Sequence, residues 1–151
     1  MAANAATRNR DDNYTPASLY AGLIGAVLLV AGIIGFFYSA SFGSPGNVDA
    51  VLGILDVNAW HNLIHLASGV LGLLAFSAGA RASRTYALAF GAVYIVVAIW
   101  GFIIGNHESI LGFVPINTED NFLHLILGVL GLGAYAASDP EAEARARART
   151  A

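Results

Sequence analysis

The sequence predicts an all-α membrane protein with four transmembrane helices, arranged as two copies of one helical hairpin in the same orientation. The composition is the first observation, because 57% of the 151 residues are hydrophobic and 11% are charged. Soluble domains are usually about 25% charged and 45–50% apolar. The other two observations are four long apolar segments and an internal repeat.

Four segments are long and apolar enough to cross a bilayer, which takes about 20 mainly apolar residues. They are residues 17–38, 59–80, 85–105 and 121–137. The fourth segment is short unless its first turn begins near Asn117. Their interiors lack Asp, Glu, Lys and Arg, and they are apolar on all sides, unlike the helices of a soluble bundle. We therefore predict a transmembrane domain over residues 17–138, between a polar tail (1–16) and a charged tail (139–151). The first tail has no apolar core, so it is not a cleavable signal peptide.

The positive charges predict the orientation. All seven are arginines, and they lie before the first span, between the second and third, and after the fourth: Arg8, Arg10, Arg81, Arg84, Arg145, Arg147 and Arg149. The other two loops, residues 39–58 and 106–120, contain acids instead: Asp49, Asp56, Glu108, Glu119 and Asp120. Because arginine accumulates on the cytoplasmic side, both termini are expected in the cytoplasm, with the chain in the plasma membrane.

The internal repeat pairs the first hairpin, about residues 17–80, with the second, about residues 85–138. Residues 19–37 align with 85–103, and residues 49–73 align with 108–132. Several polar and glycine positions match in the second alignment, at an offset of 59: Gly53/Gly112, Asn58/Asn117, Asn62/Asn121, His65/His124, Gly69/Gly128 and Gly72/Gly131. Because each copy has two spans, the copies share one orientation, and their pseudo-two-fold axis should follow the membrane normal.

The matched residues form a stripe on the second helix and again on the fourth. The spacing i, i+3, i+7 and i+10 covers roughly 80° of a helix with 3.6 residues per turn. Asn62, His65, Asn121 and His124 are its polar members, and Gly69, Gly72, Gly128 and Gly131 are predicted to pack helices closely. We expect the two stripes to face each other near the axis, which would bring His65 and His124 together.

The chain resembles a known family at this point. The segments NLIHLASGVLGLLAF, RTYALAFGAVYIVVAIWGF and VPINTEDNFLHLILGVLGL are similar to the bacterial and archaeal membrane family called domain of unknown function 4383. The resemblance covers about residues 15–138. It implies a four-helix integral membrane protein and no particular activity.

The intramembrane histidines allow three interpretations. The first is structural: each histidine hydrogen-bonds the asparagine of the other repeat, a contact worth about 0.6 kcal/mol on average in membrane proteins. In the second, His65 and His124 are axial ligands of a non-covalent haem b. In the third, His61, His65, Asp120 and His124 bind zinc or a similar divalent metal, since residues 61 and 65 lie at i, i+4 and the repeat places 120 and 124 equivalently.

The function favoured by the sequence is a structural or accessory membrane protein, self-associating or binding another membrane protein through its glycine-rich faces. The alternative is a haem- or metal-binding membrane protein. Membrane lipid is the expected environment, and the small net charge of −3 does not indicate a nucleic-acid partner. Cysteine chemistry is excluded because the chain has no cysteine, and no recognisable catalytic set favours an enzyme.

Overall fold

The computed structural model describes residues 15–43 and 48–139. The remainder of both predicted tails, with Arg8, Arg10 and the arginines after residue 140, lies outside the described residues. Four helices and four short strands follow one another: α1 (Pro16–Tyr38), β1 (Asp49–Val51), β2 (Leu55–Val57), α2 (Ala59–Ala78), α3 (Ala80–Ile104), β3 (Glu108–Ile110), β4 (Val114–Ile116) and α4 (Thr118–Ala137). All four helices are long and apolar enough to span a membrane. The predicted four-helix membrane fold is confirmed.

The connection between α2 and α3 is shorter than predicted. Residues 81–84 were expected to form a loop, but α3 begins at Ala80. Only Gly79 separates the two helices, with φ of 100°, a conformation that glycine adopts without steric cost. Arg81 and Arg84 therefore belong to the first turns of α3. The helix can include them because their long side chains extend the charged guanidinium groups beyond the apolar segment.

Two β-hairpins lie at the other end of the bundle, here called the hairpin end. Strands β1 and β2 pair antiparallel, as do β3 and β4. Each tip places a leucine and then a glycine in the left-handed region: Leu52 (56°) and Gly53 (72°), and Leu111 (55°) and Gly112 (76°). The sequence did not predict these strands, because three-residue strands give too little alternation to recognise.

Helix packing corrects the expected stripe arrangement. Gly72 lies against α1, where an added Cβ would be 2.8 Å from the Cα of Gly25. Gly131 lies against α3 in the same way, with 2.9 Å to the Cα of Gly91. The glycines of the two stripes therefore do not face each other as expected, although His65 and His124 do come together, with one imidazole nitrogen of each within 4.8 Å of the other. The glycines pack on the first helix of their own repeat, because that helix carries the complementary glycine which permits close backbone approach.

The two repeats are joined by matched contacts. The hydroxyl of Tyr20 donates to the carbonyl of Leu127 at 2.9 Å, and that of Tyr86 donates to Ser68 at 3.1 Å. At the hairpin end, the Nδ2 of Asn58 donates to the carbonyl of Phe113. In return, the Nδ2 of Asn117 donates to the carbonyl of Ile54 at 2.6 Å. Each pair of hydrogen bonds joins equivalent positions of the two copies. The repeats are therefore linked both between their helices and at the hairpin end.

Candidate metal centre

Three histidines meet at the hairpin end. His61 and His65 lie on α2 and His124 lies on α4. One imidazole nitrogen of each histidine lies within 4.8 Å of those of the other two. The remaining histidine, His107, is in a loop and bonds Asp56 instead. The structure thus brings together three of the four residues that the sequence proposed as metal ligands.

Helix caps set the height of these side chains. The side-chain oxygen of Asn58 accepts from the backbone N–H of His61 at 2.9 Å, and that of Asn117 accepts from Asp120 at 2.9 Å. Both helices therefore begin at fixed points, as asparagine caps favour. His65 and His124 each lie six residues after the first helical residue, about 9 Å along the axis at 1.5 Å per residue. Asn58 and Asn117 are thus the N-caps of α2 and α4.

The tautomer of neutral His61 follows from its hydrogen bond. Its Nδ1 lies 2.8 Å from the backbone carbonyl oxygen of Asp56. A carbonyl only accepts, so Nδ1 carries the proton, and in the neutral ring Nε2 has the free lone pair. Metal-binding histidines commonly donate their other ring N–H to a carbonyl or carboxylate, which fixes ring orientation. His61 is 2% exposed and already has this arrangement.

His124 and His65 complete the group around His61. The rings of His61 and His65 pack edge to face with centroids 4.5 Å apart, and the rings of His61 and His124 are 6.1 Å apart. The Nδ1 of His124 is buried without a hydrogen-bond partner. A buried polar atom without a partner is costly, and a missing ion is one explanation for such an atom.

A cavity of about 240 Å³ adjoins the three imidazoles. Its wall is mostly aliphatic and aromatic, with Ser68 and Tyr94 as further polar residues. The ring of Tyr94 packs against that of His124, with centroids 5.2 Å apart. Residues of the β3–β4 hairpin also line the cavity, among them Ile110, Val114 and Ile116. The site is therefore enclosed by both repeats.

Asp120, the fourth proposed ligand, has a different set of partners. Its Oδ2 accepts from the backbone N–H of Asp56 at 3.1 Å and from that of Asn117 at 3.3 Å. These contacts form a capping box for α4 and attach β2 to it. Within the described residues, the three-histidine group does not include Asp120. The spacing i, i+4 placed it correctly on the helix but could not reveal this competing role.

The two intramembrane asparagines do not pair with the histidines of the other repeat as the structural interpretation expected. The Nδ2 of Asn62 donates to the carbonyl of Ser39 at 2.8 Å, within its own repeat. The side chain of Asn62 also fills the space beside Gly35, and that of Asn121 lies beside Gly101. The asparagines therefore fill the gap beside a glycine of the neighbouring helix. The predicted hydrogen bonds between histidine and asparagine are wrong, because these glycines leave room for the asparagine side chains on the neighbouring helix.

Sequence reasoning missed two parts of the site. One is the carbonyl of Asp56, which orients His61. The other is Tyr94, which lines the cavity from α3. Tyr94 could have been noticed as a polar aromatic residue in the middle of a predicted span. A backbone carbonyl has no signature in sequence.

The chemistry of three imidazoles suits a borderline divalent cation. Zn²⁺ binds histidine nitrogen at about 2.0–2.1 Å, so tetrahedral ligands lie about 3.3 Å from one another. The present nitrogens lie within 4.8 Å, and small side-chain rotations would close them around an ion. A bis-histidine haem would instead need a wide slot between the rings of His65 and His124. Here the ring of His61 packs against both other imidazoles.

Comparison with known proteins identifies the family. The model for a domain of unknown function, DUF4383, matches residues 18–137. The chain belongs to the DUF4383 family. This confirms the resemblance seen in the sequence. No curated protein and no solved structure matches the chain.

Proposed function

We propose that this DUF4383 protein binds one divalent transition-metal ion through His61, His65 and His124. The observation that carries the proposal is the hydrogen bond from the Nδ1 of buried His61 to the carbonyl of Asp56. In the neutral ring that bond leaves Nε2 as an available ligand atom. It also orients His61 in a group of three imidazole nitrogens within 4.8 Å of one another.

A single ion accounts for the site better than the other two interpretations. A structural clamp would use the histidines as hydrogen-bond partners, yet the Nδ1 of His124 is buried and unpaired. A haem would need more room than a cavity of about 240 Å³ provides, since sites for drug-sized ligands measure about 300–1,000 Å³. An ion needs no wide slot between the rings.

Self-association through the glycine faces remains a prediction with less support. Gly69, Gly72, Gly128 and Gly131 contact helices of the same chain. These glycines are therefore already covered within one molecule. A dimer or a complex with another membrane protein would have to use other surfaces.

The proposal includes an orientation, with the hairpin end outside the plasma membrane and both termini in the cytoplasm. Arg81 and Arg84 lie beside Gly79, whereas Asp56 and Glu108 lie at the hairpin end. This distribution supports the positive-inside orientation. The site would then take its ion from the outer side, at a depth of about 9 Å or less. Because the chain lacks cysteine, Leu52→Cys should react with an impermeant maleimide on intact cells and Ser77→Cys should not.

Metal analysis of the protein tests the function. The detergent-purified full chain, with native lipid retained, should bind about one Zn²⁺ or Co²⁺ per chain. His65→Ala and His124→Ala should each weaken binding by more than 100-fold, because loss of a ligand exceeds the 10–100-fold effect of losing a supporting partner. His107→Ala is the matched control and should bind like the wild type.

Two results would count against the proposal. Sub-stoichiometric metal that is unaffected by the histidine substitutions would mean that the group is not a site. A strong visible absorption band from bound porphyrin would show that the sequence alternative, haem b, is right.

A further inference from the structure

The cavity beside the three imidazoles is larger than an ion requires. A single buried water needs only about 10–15 Å³ of such space, and this cavity measures about 240 Å³. His61, His65 and His124 all lie on its wall. An ion held by them would therefore have free volume on one side.

Three histidines are available as metal ligands here, and the nearby carboxylate of Asp120 is not. Asp120 precedes His124 by one helical turn, but its Oδ2 accepts two backbone N–H groups instead. Zinc sites with three protein ligands keep the fourth position for water or another exogenous molecule, whereas structural zinc sites have four protein ligands. The three-histidine group matches the first kind.

The charge of the site also requires a partner. Three neutral imidazoles leave a divalent ion with its full charge, in a region with little water. None of the residues that line the cavity is an Asp or Glu. The nearest acid partners are engaged: the Oδ2 of Asp56 contacts His107, and that of Asp120 contacts the backbone. An unbalanced buried charge is costly, so an anionic fourth ligand would be stabilised.

The mouth of the cavity restricts what that ligand can be. Leu111 is 65% exposed and Val93 is 55% exposed, and both line the cavity. The exposed part of the cavity wall is therefore apolar. A volume below the 300–1,000 Å³ of drug-sized pockets admits only a small molecule.

We propose that the bound metal keeps an open coordination position toward this cavity and takes a small monovalent anion there. The anion replaces a metal-bound water, which leaves as a neutral molecule, and one negative charge is added to the site. Ligands of this class are hydroxide, azide and short carboxylates whose remaining atoms are apolar. This inference rests on the proposed metal function.

Cobalt provides the test, because Co²⁺ binds the same nitrogen ligands as Zn²⁺ and its visible bands change with its ligand set. The full-length protein in detergent is loaded with Co²⁺ and then titrated with sodium azide. We expect cobalt bands on loading, followed by a saturable spectral change with azide. Val97→Phe, which adds a ring at the cavity wall, should retain the cobalt bands and weaken azide binding at least tenfold.

Val96→Phe is the matched control, because Val96 is 58% exposed and does not line the cavity. It should bind both cobalt and azide like the wild type. Cobalt bands that azide leaves unchanged would overturn the open position while leaving metal binding intact. Failure to bind cobalt at all would overturn the metal function itself. An azide response retained by Val97→Phe would show that the anion does not use this cavity.

Discussion

The two repeats share their helices and hairpins, and two of the aligned positions at which they differ are informative about the candidate site. At the offset of 59, Asp56 of repeat 1 corresponds to Pro115 of repeat 2, and His61 corresponds to Asp120. Both 61 and 120 are the third residue of their helix and are buried. One position presents a potential metal ligand and the other presents a capping carboxylate.

The proline explains why the two positions diverge. The carboxylate of Asp120 accepts the backbone N–H of Asp56 across the repeat boundary. The equivalent donor for residue 61 would be the nitrogen of Pro115, which has no hydrogen. A carboxylate at position 61 would therefore lack that partner in a buried place. A histidine can instead donate to the carbonyl of Asp56 and keep its second ring nitrogen free, in a group with His65 and His124.

The largest effect that would test this comparison is on metal affinity. His61→Asn should weaken Zn²⁺ binding by more than 100-fold, because it removes a ligand and asparagine cannot replace imidazole. Asp120→Asn should change the affinity by no more than the 10–100-fold typical of a supporting residue. Isothermal titration of both purified variants measures the two effects. Equal losses would mean that the two positions are not functionally distinct.

The next effect concerns stability, where the repeats should behave alike. Gly69→Ala would place a Cβ against the backbone of Gly25 and Leu29, and Gly128→Ala would place one 2.9 Å from the nitrogen of Ile95. Overpacking of this kind typically costs about 1–3 kcal/mol. Both variants should therefore show a lower thermal unfolding temperature in detergent.

Gly133→Ala is the control on the same helix as Gly128. An added Cβ there would meet nothing within 4 Å, and replacing a helical glycine with alanine stabilises by up to about 1 kcal/mol. Its unfolding temperature should stay level or rise. A fall as large as that of Gly128→Ala would show that the loss of stability does not depend on close contact between helices.

Much of the fold could be predicted because a bilayer imposes simple rules. Length and apolar composition located the four spans, and the repeat located the matched glycine and asparagine positions. The partner of each glycine stripe could not be predicted, since close contact depends on where two helices both carry glycine at one level. Gly25 and Gly91 decided this in favour of α1 and α3. The hairpins were missed because their strands have three residues each.

The candidate site was only partly predictable for a similar reason. The spacing identified His61, His65 and His124, and the structure gathers them. It also assigned Asp120 to the same group, since i, i+4 is the ligand spacing on a helix. Whether a carboxylate faces an ion or a backbone N–H depends on β2, which no pattern in the sequence indicated. Backbone donors and acceptors are the part of a site that side-chain motifs do not record.

The smallest expected effect belongs to a contact between the repeats for which only repeat 1 has the acceptor. The Nδ1 of His107 lies 2.8 Å from the Oδ2 of Asp56, and the aligned Pro115 offers no such acceptor. This hydrogen bond, together with the charge of Asp56 and a smaller contribution from Glu119, raises the pKa of His107 above 6.5. Protonated His107 therefore stabilises the folded state. That contribution is complete below pH 6.5, the usual pKa of histidine, and disappears as the pH rises through the raised value.

Thermal unfolding of the wild type and His107→Gln over a pH series measures this contribution. The wild type should unfold at a higher temperature than the variant at about pH 5.5, and the difference should close as the pH rises through the raised pKa of His107. Added salt should reduce the difference at low pH, because His107 is exposed and its charge is screened. Comparing the two proteins at each pH cancels the titration of groups that they share. A difference that persists unchanged at high pH would show that His107 acts through packing, and the pH-dependent contact between the loop and repeat 1 would then be absent.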